Sequence, residues 1–450
     1  STSRGLGDVY KRQKQDGLEK ILNEKMKKIL TSTIPAWSQS TGANTFAAIL
    51  EDIKGIDVAN IYVRANLPDS KVCSRYFQIL ESNVIKSIFN RKIQTGKEVA
   101  HSTTIENSED SELKSERKRY AYFSKNRNPI FLWGRELLWK FGRWNSKDLD
   151  NFLTDFNPDI FFFPIESYIY FNRLNSYIIQ KCKPKMVIGF LWDDNFTYKQ
   201  KRSLPYYINR YFTRKSVRKL VKQCDEVFTI CPKMKTECDA TFHINSTIIT
   251  KPIRGSEKNL YSRNKKNPIR LIYTGSLIIG RDKSLIALAN AVKEINKEGQ
   301  RALLDIYTNT SLKDDVYEKL NIPGCCQIKG SIPQSQVFEE QEKSDILVFV
   351  ESFENKTARL SFSTKITDYL SSNRCILAIG PNDISSMEYF KEEDAAVCCN
   401  SEISILPALQ SLIDNPKLIE KYAEKGFDCG VRNHSLININ SRISSIFKLG

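Results

Sequence analysis

The chain has 450 residues, 41% hydrophobic and 27% charged, with 15 prolines and a formal net charge of +16. That length fits two or three domains with sizeable cores, and the composition excludes a disordered protein. No run approaches the ~18 apolar residues of a membrane span, the three histidines are too dispersed for a His-built metal site or triad, and the eleven cysteines lack C-x-x-C spacing, which points to a reducing, cytosolic compartment.

Residues 1–25 read as a non-native, disordered leader ahead of a natural start at Met26. They carry six basic and four acidic residues, so without them the charge is +14 and the basic excess belongs to the protein itself. No apolar stretch precedes a small-residue cleavage site, so the leader is not a secretory signal. Residues 28–31 read as a first strand. A loop at 40–44 containing Gly42 then leads into an amphipathic helix with Phe46, Ile49, Leu50 and Ile53 on one face. Residues 57–65 give a second strand. From about 90 to 127 the periodicity disappears among charges of both signs, the pattern of a solvated, mobile insertion.

Residues 129–144 hold three Trp, two Phe and several cations. This composition suits either an interfacial membrane helix or a helix packed in the first domain with its Arg and Lys in water. Residues 159–164 and 186–192 are buried strands. The second ends at Asp193 and Asp194, which places carboxylates at the carboxyl edge of a parallel sheet, where ligands bind; either can instead cap the next helix. Residues 198–222 bring cations at helical spacing among aromatics, which fits nucleic-acid or lipid phosphate, or one solvated helix face. Strands at 225–230 and 246–250 follow, then a polar linker over 253–267.

In the second half, residues 269–273 form a strand that turns at Thr274, Gly275 and Ser276, with a second glycine at Gly280 and a helix from about Lys283. Gly275 lets backbone approach a ligand, and Arg281 can fork onto a diphosphate. Short strands follow at 303–307 and 327–329. Residues 344–381 then give a strand (346–350), a polar loop, a helix opening at Ser363 and Thr364, and a second strand (375–379), the unit of a parallel sheet. Ser363 and Thr364 are good N-cap types. The first turn leaves N–H groups unpaired, the helix dipole adds partial positive charge and Lys365 adds a full one. One turn on, Asp368 can accept hydrogen bonds from the hydroxyls of a ribose. Phosphate at a helix start with ribose beside it describes a nucleotide, although the same residues also make a well-capped surface helix. A strand at 395–398 and helices after Leu406 complete the chain.

From residue 267 to about 433 the sequence resembles the nucleotide-sugar half of the GT-B glycosyltransferases, specifically the large retaining group numbered family four and its capsule and surface-polysaccharide branch. The resemblance is carried by Gly275, Ser276 and Leu277 with Arg281 beyond them, and by Ser363, Lys365, Asp368, Tyr369 and Leu370. The family sets a basic pair on the donor diphosphate. Arg281 falls on its Lys, whereas Ser276 falls on its Arg and carries no charge. Asp368 matches the second of two family glutamates, and Leu360 stands where the first is expected. Glu351, or else Glu354, is placed to fill that role through a longer loop.

The resemblance implies an α/β chain with the GT-B fold, two Rossmann-like domains facing a central cleft. An acceptor domain would span 26–252, a nucleotide-sugar domain 268–433, and a C-terminal helix over 434–450 would cross back. Gly42 would face the diphosphate or acceptor, and Asp193 or Asp194 would contact the transferred sugar or the acceptor. The implied reaction is retaining hexosyl transfer from a nucleotide diphosphate sugar to a glycan or lipid-linked acceptor, in bacterial polysaccharide or glycoconjugate biosynthesis. Arg281, Lys365 and Glu351 would act at the departing diphosphate, with Gly275, Ser276, Ser363, Thr364 and Asp368 holding the nucleotide. No D-x-D motif sits on a candidate donor loop, so neither metal nor cofactor is expected. Peripheral contact with anionic lipid at the inner face of the plasma membrane suits the charge, and with no DNA or RNA motif present nucleic acid is not an expected partner. The rival readings are a nucleotide-sugar epimerase on the same scaffold and a non-catalytic GT-B subunit, which Ser276 and Leu360 would fit.

Overall fold

The computed structural model describes residues 26–38, 45–100, 129–200, 203–253, 268–354 and 358–449. The leader, Gly42 with its loop, most of the expected insertion and most of the linker lie outside them.

The first sheet contains β1 (Lys27–Thr33), β2 (Ile56–Tyr62), β3 (Arg75–Ile79), β4 (Gly96–Val99), β5 (Ile160–Pro164), β6 (Met186–Leu191), β7 (Glu226–Thr229) and β8 (Thr247–Ile248). Their order is β4-β3-β2-β1-β5-β6-β7-β8, parallel except for β4 against β3. The IFFFP run of β5 is buried at every position, as a strand covered by helices on both faces requires. Polar β1 residues survive burial because each is paired: Asn60 Nδ2 donates to Thr31 at 2.9 Å, and Ser32 donates to Asn175 at 2.7 Å.

One expectation changes here, and one open alternative is decided. Residues 96–99 are a strand rather than part of an insertion; Gly96 packs so closely that a Cβ there would lie 2.6 Å from the Phe77 ring. The helix Pro129–Phe141 packs into the first half of the protein. Trp139 is fully buried, stacks on Tyr170 at 4.4 Å and donates to Glu81 at 2.6 Å, while Arg135 holds the same carboxylate at 2.6 Å.

The second sheet contains β9 (Ile269–Thr274), β10 (Ala302–Tyr307), β11 (Cys326–Gly330), β12 (Ile346–Val350), β13 (Cys375–Ile379) and β14 (Val397–Cys399). Its order is β11-β10-β9-β12-β13-β14 and its pairings are parallel. The chain runs outward from β9 in one direction and from β12 in the other. The connections leaving their carboxyl ends therefore diverge and open a crevice. The first sheet has the same reversal between β1 and β5.

Several contacts join the halves. The last helix, Leu436–Phe447, returns to the first sheet, where Phe447 lies 6.2 Å from Phe162 and Lys27 Nζ donates to the Phe447 carbonyl at 2.8 Å. His434 is buried between Thr250 Oγ1 and the Tyr389 hydroxyl, each at 2.7 Å, and burial pushes its imidazole down to about 4, so it is neutral. Arg359 forks onto Glu237, and Lys233 pairs with Glu388 at 2.5 Å. Among the described residues no helix is long and apolar enough to cross a membrane.

Candidate functional site

The crevice at the β9/β12 reversal is built from a glycine turn and two helix starts. After β9 the chain turns at Gly275, whose φ of +151° and whose N–H bond to the Tyr307 carbonyl (2.9 Å) hold the strand end open. The Tyr273 hydroxyl donates to the Ser276 carbonyl at 2.8 Å, and Leu277 N–H donates to Thr310 Oγ1 at 3.0 Å. Ile279 then takes φ +64° and Gly280 φ +81°. A β-branched residue in the left-handed region is strained backbone of the kind that concentrates at ligand sites. Gly280 caps the helix Arg281–Ile295, which begins two residues earlier than expected and so puts Arg281 in its first turn.

Arg281 is aimed by Glu351. Its Nε and Nη2 donate to the two carboxylate oxygens at 3.1 and 2.7 Å, leaving Nη1 outside that fork. Glu351 immediately follows β12 and is almost fully buried. Burial alone would lower the Arg281 pKa, but the Glu351 bonds and charge hold it above its usual value. The other candidate, Glu354, makes only an exposed pair with Lys283 at 2.8 Å. Leu360, where the resemblance would place a glutamate, is fully buried, and its carbonyl lies 3.7 Å from Cys231 Sγ in the other half.

The second helix start is Thr364–Ser371, capped by Ser363, whose Oγ accepts from Lys365 N–H at 3.4 Å. Lys365 reaches across to Gly275 so closely that a Cβ on that residue would stand 1.9 Å from Nζ. Its ammonium also lies 5.0 Å from the centre of the Tyr273 ring. Burial, with the Arg281 charge added, pushes Lys365 down to about 8, against the opposing pull of Glu351 and Asp368. The structure thus gathers Gly275, Arg281, Glu351, Ser363, Thr364 and Lys365 at one crevice. Ser276 keeps its hydroxyl 3.3 Å from Thr310 and adds no charge there.

Asp368 sits one turn further along, on the rim of a cleft of about 820 Å³ between the halves. Trp37, Ser38, Asp69 and Lys71 line it from the first half, and Phe338, Asp368 and Ser371 from the second. Asp368 accepts from Lys251 Nζ at 2.5 Å, which ties it to the chain leaving the first sheet. Among the described residues no cluster of His, Cys, Asp and Glu is arranged to hold a metal ion.

The acidic pair after β6 divides. The Asp194 side chain is fully buried, accepts from Thr197 N–H and Oγ1 at 3.0 and 2.5 Å, and lies 3.7 Å from Arg359. It caps a turn at the seam, the capping role left open for one of the pair, and its buried carboxylate is closed off from solvent. Asp193 is exposed and lies near Glu166, a residue that sequence reasoning passed over. Glu166 follows β5, beside the reversal of the first sheet, and Asn172 braces its backbone at 3.1 and 2.8 Å. Burial and then the Asp193 charge push the Glu166 carboxyl up to about 8, with Arg64 opposing. Only the sheet order brings these three residues together; no sequence spacing marks them.

No protein-family model matches the sequence, and no curated protein matches it. Solved structures do match over almost the whole chain. A sucrose-phosphate synthase from Thermosynechococcus elongatus superposes with a TM-score of 0.59 at 9% identity, covering 94% of this chain and 98% of its own. An alpha,alpha-trehalose-phosphate synthase (UDP-forming) from Burkholderia vietnamiensis gives 0.55 at 9% identity, covering 94% and 99%. WaaG, a glycosyltransferase involved in lipopolysaccharide biosynthesis, gives 0.55 at 13% identity, covering 94% and 100%. At such identities the likeness establishes the fold: GT-B, with two Rossmann-like halves facing a cleft.

Proposed function

We propose that this chain is a glycosyltransferase that moves a sugar from a nucleotide diphosphate sugar to a glycan or lipid-linked acceptor, with retention, in polysaccharide or glycoconjugate biosynthesis. The observation that carries the reading is the crevice at β9/β12, where Lys365 crosses Gly275 and Glu351 aims Arg281 beside two helix starts. The names of the three neighbours described above point in the same direction, while a putative UDP-N-acetylglucosamine 2-epimerase from Listeria monocytogenes shares the fold at a TM-score of 0.51 and keeps the epimerase as the second reading.

When the bond between sugar and diphosphate breaks, negative charge develops on the departing phosphate. Catalysis then rests on groups that stabilise that charge without reorganising. In this reading Lys365, the Nη1 edge of Arg281 and the N–H groups of Ser363 and Thr364 at the second helix start do so, and Glu351 holds Arg281 in place. Asp368 takes the ribose, and the acceptor enters from the side of Glu166 and Asp193. These cations occupy the role a metal would otherwise fill, so turnover should not require one.

The test is nucleotide release and sugar transfer from a panel of UDP-, GDP- and dTDP-sugars, with and without EDTA. It is run on the wild type, on Arg281→Ala, and on Arg281→Ala/Glu351→Gln, which removes the stranded carboxylate charge. Release from one donor, indifferent to EDTA and crippled in both variants, supports the reading. Loss of activity in EDTA or full activity in both variants refutes the proposed roles, and failure of every donor to bind or turn over refutes the function.

A further inference from the structure

We propose that the outward face of the helix Leu204–Val221 is a docking surface for an anionic lipid bilayer. The helix buries Arg210, Thr213, Val217, Leu220 and Val221 against the first half of the protein. Positions three and four residues apart on the opposite side form one continuous stripe. Its first turns carry Leu204, Tyr207, Ile208, Tyr211 and Phe212, between 40% and 74% exposed. Its last turns, with the residue just beyond the helix, carry Lys215, Arg218, Lys219 and Lys222, all exposed. Between Asp194 and Asp225 the sequence holds nine Lys and Arg and no Asp or Glu.

The cations divide by direction, and the division separates folding from surface. Arg210 Nη1 donates to the Asp194 carbonyl at 2.8 Å, and Arg214 Nη1 to the Phe196 carbonyl. The four outward cations make no ion pair among the described residues. They border a hollow of about 550 Å³ against Asn172, Arg173 and Phe212, wide enough for a phosphate headgroup. Beside this face lies the helix Pro129–Phe141, linked by Trp133 Nε1 to Asn209 at 3.2 Å and exposing Phe131, Leu137 and Phe141.

Charge complementarity selects a polyanion, and the apolar half of the stripe selects which one. Leu204 and Ile208 have nothing to gain from a nucleic acid, whereas a bilayer takes aliphatic and aromatic side chains at its interface and cations at its phosphates. Tyr207, Tyr211 and Phe212 would sit at headgroup depth, with the basic turns on the anionic surface.

The test is co-sedimentation of the full chain with vesicles of phosphatidylcholine alone and of phosphatidylcholine with 30% phosphatidylglycerol. Binding should require the anionic lipid and weaken at 0.5 M salt. The variant Lys215→Gln/Arg218→Gln/Lys219→Gln/Lys222→Gln should lose roughly 100-fold or more in partitioning, and Tyr207→Ser/Tyr211→Ser/Phe212→Ser should lose tenfold or more, both keeping the wild-type circular dichroism. The wild-type arms decide even if a variant misfolds: no binding to anionic vesicles, or equal binding to neutral ones, overturns the proposal. So does unchanged binding by either folded variant, or salt-sensitive retardation of an RNA oligomer by a protein that ignores vesicles. No sugar donor enters the assay, so its failure is distinct from failure of the transfer reading.

Discussion

Lys365→Met should make the protein more stable and its donor binding worse. The ammonium lies over Gly275 and Tyr273 with its pKa reduced from 10.5 to about 8. Keeping it protonated at neutral pH therefore costs the fold at most about 3 kcal/mol. Because the folded value lies below the unfolded one, the cost is complete below pH 8. It is relieved between pH 8 and 10.5, as the folded chain sheds its proton before the unfolded chain does. Methionine keeps the stem packing and removes the charge, losing only the cation–π contact of about 0.5–2 kcal/mol. In urea at pH 7.5 the variant should gain roughly 1–3 kcal/mol, and the gap should close by pH 10.5. In calorimetry the variant should bind UDP roughly 10- to 100-fold more weakly, the worth of a charge-assisted phosphate bond. Wild-type binding at pH 8 should take up about half a proton, as a group with its pKa at the ambient pH requires. A variant less stable than wild type at pH 7.5, a gap independent of pH, or an unchanged UDP affinity would refute the reasoning.

Arg281→Ala should lower transfer roughly 100-fold, about 3 kcal/mol, and should destabilise the protein in urea, because Glu351 is left buried without its partner. Adding Glu351→Gln should restore stability but not rate; recovery of the rate would show that Arg281 only shields Glu351. Gly275→Ala forces a side chain into φ +151° and 1.9 Å from Lys365 Nζ, so UDP affinity should fall tenfold or more with a stability loss of about 1–2 kcal/mol; an unaltered affinity by calorimetry would place Lys365 outside the donor site. Glu166→Gln puts a neutral donor where a protonated carboxyl stands below about pH 8. Transfer at pH 6.5 should change less than about threefold while the alkaline limb of the rate profile flattens, as removal of one titrating group requires; a large loss at pH 6.5 would mean that the carboxylate is the active form.

What was legible in the sequence follows from burial. β12 and β13 lie under helices on both faces, so they read as unbroken apolar runs, with Ser363 marking the next helix start. β4 has no such signature: GKEV is a half-exposed edge strand that pairs only with β3, and its charges blend into those that follow. Composition over 129–144 left two environments open because Trp139 is decided by Glu81 and Tyr170, far away in the chain. The ambiguity over Asp193 and Asp194 was of the same kind. Adjacent identical side chains took opposite fates, one locked by Thr197 and Arg359 and the other left exposed near Glu166, according to which way β6 delivers each to the seam.

The departures from the resemblance become intelligible as electrostatics. With Leu360 committed to the seam, the carboxylate beside Arg281 comes from the end of β12, and Glu351 matches the guanidinium charge for charge. The uncompensated positive charge of the crevice is then Lys365 and the two helix starts. An arginine at position 276 would join the turn that Lys365 crosses, where Arg281 and burial already bring the ammonium down to about 8. A second guanidinium there would press it lower still and leave it neutral at physiological pH. On the proposed reading serine at 276 avoids this, and the crevice keeps one lysine that is costly to charge when empty and that a bound diphosphate would hold charged. Ser276→Arg should therefore not strengthen UDP binding as an added cation would. It should displace the pH dependence of binding toward acid, and a simple gain in affinity with an unmoved profile would show that Lys365 and residue 276 do not share the ligand.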